Sequence, residues 1–161
     1  CNEETFMTKA GAQRLAAALP QRLQIHHSPL QRCELLAQVF KGLRPDLMLK
    51  TAPNLAEFDF GSWEGRAWDD IARTDIDAWT ADFAHYRPGG GDNLAAMLER
   101  VSNALGVARQ ACAQGTDVLW ITHAGVARCV QWLLHTAPHA LPRADQWPRS
   151  APGYGEWVCF A

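Results

Sequence analysis

Apolar positions along this chain recur at two different periods, and the alternation between them outlines the fold. Ala12, Leu15, Ala16 and Leu19 lie three or four apart until Pro20, which predicts a helix that Thr8 can cap. Leu23 to His27 alternates instead, with Leu23 and Ile25 on one face, and predicts a short strand. Ser28-Pro29 then offers a serine N-cap and a proline at the first helical position. Cys33, Leu36, Ala37 and Phe40 form the apolar stripe of that helix, and Gly42 can end it. Leu47 to Thr51, bracketed by Pro45 and Pro53, predicts a second strand.

The segment from Leu55 to Gly65 mixes acids, aromatics and glycines without a clean period and predicts a structured loop. Short helices are expected around Trp68–Ala72 and Ile76–His85, with Trp79 and Phe83 four residues apart. Pro88-Gly89-Gly90-Gly91 breaks the chain and is expected to be its most flexible internal stretch. Asp92 can cap a long helix with a stripe of Met97 or Leu98, Val101, Leu105 and Ala108, ending near Gly115. Asp117 to Thr122 predicts an apolar strand, Gly125 to about His135 a helix, Pro138–Pro152 a loop, and Glu156–Phe160 a last strand. Strands alternating with helices imply an α/β fold: three layers, a mainly parallel sheet with helices on both faces, in a single domain over residues 1–161.

Composition narrows the function classes. A formal charge of −2 makes no electrostatic case for nucleic acid or an anionic membrane, so any basic site is local. No apolar run approaches the roughly 20 residues that span a bilayer, and a cytoplasmic location is the expectation. The five cysteines (Cys1, Cys33, Cys112, Cys129, Cys159) are widely spaced, which argues against a disulfide framework or a zinc site. Cys33, Cys112 and Cys129 fall in helical patterns, where a free thiol packs as a small hydrophobe. The seven tryptophans read as core and rim packing before they read as a ligand surface.

Three residues stand where chemistry is expected. His123 ends an apolar strand and precedes a helix N-terminus, a place that suits an anion. Arg32 lies on the first turn of a helix that follows another strand, and arginine grips phosphate oxygens bidentately. Glu57, in the polar–aromatic loop, can exchange a proton with a leaving alkoxide. Each alone has a plainer reading: a satisfied core histidine, a solvated helix arginine and an exposed loop acid. Glu64, Asp69 and Asp70 read as solvated or helix-start charges, and His85, His135 and His139 as surface residues. One of His26 and His27, at a strand end, could face the crevice.

Taken together, Ser28-Pro29-Leu30-Gln31-Arg32-Cys33, Glu57-Phe58-Asp59-Phe60-Gly61-Ser62-Trp63-Glu64-Gly65 and Thr122-His123-Ala124-Gly125-Val126 resemble three signature segments of the histidine phosphatase superfamily, the phosphoglycerate mutase-like group. Thr8-Lys9-Ala10-Gly11 before the first helix also fits, and Gly91-Asp92-Asn93 stands where members often have Gly-Glu-Ser. The compact middle insertion and the Gly61–Gly65 form look most similar to α-ribazole phosphatase-like members, which act in cobalamin nucleotide-loop assembly. The resemblance implies a metal-free, cofactor-free phosphomonoester hydrolase with a phosphohistidine intermediate. Glu57 would protonate the leaving alkoxide and then activate water, while Arg32, His123 and the amide of Ala124 would hold phosphoryl oxygens.

The sequence departs from the group at one point. It contains no Arg-His-Gly segment, which in the family ends the first strand and carries the nucleophilic histidine. The chain opens with Cys1-Asn2-Glu3-Glu4, so the domain is expected to be N-terminally incomplete, to lack the first strand and, by itself, to be inactive. The alternatives are mutase-type phosphoryl transfer, or an inactive member that binds phosphate or a partner. The expected partner is a small phosphomonoester, with homodimer formation left open.

Overall fold

The computed structural model describes residues 9–153 and 155–160. Among them, β1 (Leu23–His27), β2 (Met48–Thr51) and β3 (Asp117–Ile121) form a parallel sheet in the order β2-β1-β3. The described helices are α1 (Lys9–Ala18), α2 (Gln31–Leu43), α3 (Arg73–Ala81), α4 (Leu94–Ala113) and α5 (Ala124–His135).

Because successive strand residues point to opposite faces, the sheet splits the apolar interior in two. Leu23, Ile25, Leu49, Leu119 and Ile121 pack with Leu15, Ala16, Cys33, Ala37 and Phe40 of α1 and α2. Trp120 packs on the other side, against a cluster that includes Met97 and Val101 of α4 and Val126 and Cys129 of α5. This is the α/β arrangement of a small parallel sheet flanked by helices. Among the described residues, no helix is long and apolar enough to cross a membrane.

Several local expectations need correction. Helix α2 begins at Gln31, with Leu30 at its cap, so Ser28 and Pro29 precede it. Helix α4 is capped by Asn93 and not Asp92: the Asn93 side chain accepts from the Ala96 amide at 2.8 Å. Ala104 takes the buried place expected of Leu105, and α2 runs past Gly42 to Leu43. The expected helices around 68–72 and 76–85 are a 3-10 turn at Trp68–Asp70 and α3. Glu156–Phe160 forms no strand, and Cys112 is exposed. The proposed cap Thr8 lies outside the described residues.

The largest correction concerns Pro88–Gly91. Instead of a flexible break, this turn is wedged against the loop that holds Glu57. A Cβ on Gly89 would strike the carbonyl of Phe60, and one on Gly91 would strike that of Asp59. Gly89 also has φ +59°, which glycine adopts at little cost. The Asp92 amide donates to the Asp59 carbonyl at 2.8 Å, closing the seam. Behind it, the aromatic side chains form a continuous series. Phe58 meets Phe60 (4.8 Å), Phe60 meets Trp79 edge-on (5.9 Å), and Trp79 stacks on Phe83 (5.5 Å). Trp79 of α3 thus braces the acid loop through Phe60.

Candidate active site

The carboxyl ends of β1 and β3 lie side by side, since His27 registers with Ile121. Chain leaving β1 runs through Ser28 into α2, and chain leaving β3 runs through His123 into α5. Arg32 and His123, 91 residues apart in sequence, therefore meet: Arg32 Nη2 donates to His123 Nδ1 at 3.0 Å. On the far side of the ring, His123 Nε2 lies 2.8 Å from Ser28 Oγ and 3.6 Å from Cys33 Sγ. His123 is 9% exposed, and Ser28 is fully buried. Burial first, and then the charges of Arg32 and Arg100, pull the His123 pKa down to about 4, so the ring is neutral at pH 7.

Glu57 arrives from a third segment. Its Oε1 accepts from the Phe58 amide at 2.9 Å, and its Oε2 accepts from the Gly125 amide at 3.2 Å. A first-turn amide of α5 has no carbonyl partner within its helix, so a carboxylate there is favourable. Ala124 is the exposed first residue of α5, and its amide likewise has no intrahelical acceptor.

Two anchors that sequence reasoning missed position the acid loop. Arg100 of α4 donates to the carbonyls of Asn54 (2.9 Å), Ala56 (2.6 Å) and Glu57 (3.2 Å), and lies 3.5 Å from Asp92. Thr122 Oγ1 donates to the Leu55 carbonyl at 2.8 Å, tying the end of β3 to the same loop. The signal in the sequence was slight: Arg100 is a charge beside the buried Met97 and Val101. Ser28 was read as a helix cap, and the structure makes it the partner of His123.

The other candidates separate cleanly. His26 and His27 are both buried, yet neither joins Arg32 or Glu57. His27 Nδ1 lies 2.9 Å from the Ser28 carbonyl, and Thr51 Oγ1 is 3.3 Å from Nε2, so both ring nitrogens are satisfied. His26 Nε2 lies 3.4 Å from Gln24 Oε1. His85, His135 and His139 are exposed. Glu64 accepts from the Phe60 amide at 2.9 Å and serves the loop. Among the described residues, no three His, Cys, Asp or Glu side chains cluster as metal ligands would. Two clefts lie elsewhere, one of about 170 Å³ beside Trp63 and Trp68 and one beside Trp132 and His135.

The chain is similar to several known proteins. The sequence model of the histidine phosphatase superfamily (branch 1) matches residues 7–150. Among solved structures, an Escherichia coli protein assigned as an alpha-ribazole-5′-P phosphatase is 26% identical, with a TM-score of 0.65 over 80% of this chain and 66% of that one. The alpha-ribazole phosphatase of Shigella flexneri is 24% identical, with a TM-score of 0.66 over 94% of this chain and 77% of that one. A mycobacterial glucosyl-3-phosphoglycerate phosphatase is 21% identical, with a TM-score of 0.68 over 95% of this chain and 78% of that one. Among curated proteins, none matches the sequence significantly.

Proposed function

The chain belongs to the histidine phosphatase superfamily, and from that premise we propose that its site serves phosphomonoester hydrolysis through a phosphohistidine. The observation that carries the reading is the convergence of Arg32, His123 and Glu57, from three separate segments, at the N-terminus of α5. Arg32 and the amide of Ala124 would hold phosphoryl oxygens, with His123 beside them. Such preorganised donors are worth on the order of 3–4 kcal/mol each when aimed at developing charge. Glu57, held by two amides, would give a proton to the leaving alkoxide and then take one from the attacking water.

Among the described residues no second histidine bonds to Arg32, Glu57 or His123, which supports an attacking histidine on the Arg-His-Gly segment that the resemblance implies. Our proposal therefore assigns turnover to the protein carrying an Arg-His-Gly segment, and phosphate binding without turnover to these 161 residues. α-Ribazole 5′-phosphate is the proposed substrate, supported by the Gly61–Gly65 resemblance and the Escherichia coli neighbour, and cytoplasmic cobalamin assembly is the proposed setting. A screen of phosphomonoesters tests it. With the segment present, α-ribazole 5′-phosphate should be hydrolysed fastest, without loss on chelation by EDTA. Turnover of p-nitrophenyl phosphate by the 161 residues alone, abolished by His123→Ala, would overturn the division of labour.

A further inference from the structure

Two hydrogen bonds among the described residues join the acid loop to the junction of β3 and α5, and they differ in kind. One is made by the Glu57 carboxylate itself, which accepts from the Gly125 amide at 3.2 Å. It uses the very group that exchanges a proton, so it is a weak fixture while that exchange occurs. The other runs from Thr122 Oγ1 to the Leu55 carbonyl at 2.8 Å and leaves the carboxylate free. Thr122 directly precedes His123, and Leu55 lies two residues before Glu57. This contact therefore registers the acid against the histidine.

The carbonyls of Asn54, Leu55, Ala56 and Glu57 are all taken by side chains. Arg100 holds the first, third and fourth, and Thr122 holds the second. Arg100 belongs to α4, which carries none of Arg32, His123 and Glu57. Thr122 instead belongs to the strand end that presents His123. Leu55 is fully buried in the core beside Met97 and Val126, so its carbonyl has no water to turn to. Threonine is stiff at χ1, which keeps the hydroxyl aimed at that carbonyl. Without the hydroxyl, the peptide group after Leu55 must turn to find another donor, and Glu57 moves with it.

We propose that Thr122 is a positioning residue for proton transfer, its hydroxyl holding Glu57 in register with the phosphoryl group beside His123. This rests on the phosphomonoesterase reading above. In the acid step the phosphorus–oxygen bond breaks, its electron pair stays on the leaving oxygen, and Glu57 supplies the proton. An alkoxide depends on that proton, whereas p-nitrophenolate leaves as a stable anion and depends on it far less. A displaced Glu57 thus penalises alkyl phosphates selectively, while general damage to the pocket penalises both kinds of substrate.

The test compares kcat/KM, in the protein carrying the Arg-His-Gly segment, for p-nitrophenyl phosphate and for the alkyl phosphate turned over fastest in the screen above. Thr122→Val should lower the alkyl value about ten- to a hundredfold, the cost of a small misplacement, with little change for p-nitrophenyl phosphate. Thr122→Ser should restore it. Glu57→Gln should show the same selectivity more strongly, and Thr122→Val added to it should cost the alkyl substrate nothing further. If Thr122→Val does not fold, Thr122→Cys, whose thiol is a weak donor, takes its place. Equal losses on both substrates, no rescue by serine, or a further loss in the Glu57→Gln background overturns this inference alone. Equal losses on both substrates in Glu57→Gln itself, or no turnover by the wild-type protein, overturns it together with the acid role of Glu57.

Discussion

The carboxylate of Glu57 lies against the α-carbon of Gly125, so closely that a Cβ there would overlap Glu57 Oε1. The same glycine donates its amide to Glu57 Oε2 at 3.2 Å. An acid from the loop after β2 and the first turn of α5 are thereby fitted to one another. Gly125→Ala should displace the carboxylate and lower phosphatase activity in the protein that carries the nucleophile. Alanine is otherwise the better helix former by about 1 kcal/mol. In a Glu57→Ala background, Gly125→Ala should therefore raise stability by roughly 0.5–1 kcal/mol. Urea unfolding of the four proteins checks the sign reversal; an alanine that is equally harmful in both backgrounds contradicts the contact.

Arg100 holds three carbonyls of the acid loop, those of Asn54, Ala56 and Glu57. Arg100→Met keeps the aliphatic stem but removes every one of these bonds. A loss of about 2–3 kcal/mol is expected, the range for hydrogen bonds to a charged group. Because Glu57 is on the same loop, activity should fall with stability, and chemical denaturation alongside a phosphatase assay measures both.

The glycine turn offers an internal contrast. Gly89 and Gly90 both have positive φ, +59° and +77°, but only Gly89 presses on the acid loop. Gly90→Ala should cost about 1–2 kcal/mol from the backbone conformation alone. Gly89→Ala adds a collision with the Phe60 carbonyl and should cost roughly 1–3 kcal/mol more. Equal melting temperatures for the two variants would show that the seam does not exist.

His123 makes stability depend on pH. Its pKa is about 4 in the folded protein, against 6.5 for an ordinary histidine, so between those values the unfolded chain binds more protons. Stability should therefore be full above pH 6.5 and decline as the pH falls toward 4, by on the order of 2–3 kcal/mol. His26, lowered by burial and by Lys50, acts in the same direction. Replacing His123 with glutamine should flatten the curve between pH 4 and 6.5; an unchanged slope would mean that the ring is not held neutral.

Chain periodicity by itself determined the succession of elements. Leu23–His27, Cys33–Phe40 and Asp117–Ile121 carry their strand or helix character in spacings of two or of three to four, and those are local properties. Residue identity also marked Arg32, Glu57 and His123, because few side chains can hold a phosphoryl group or pass a proton. Only the tertiary structure decided which partners surround these residues. Ser28 reads as a cap until β1 and β3 pair and bring His123 to its hydroxyl, and Pro88–Gly91 reads as a hinge until the acid loop is packed against it. Arg100 is one more helix arginine until the loop carbonyls converge on it. In each case the partner is tens of residues away. A local pattern records which backbone conformation a segment prefers, whereas a hydrogen-bond partner is chosen by whichever segments the folded sheet brings within about 3 Å.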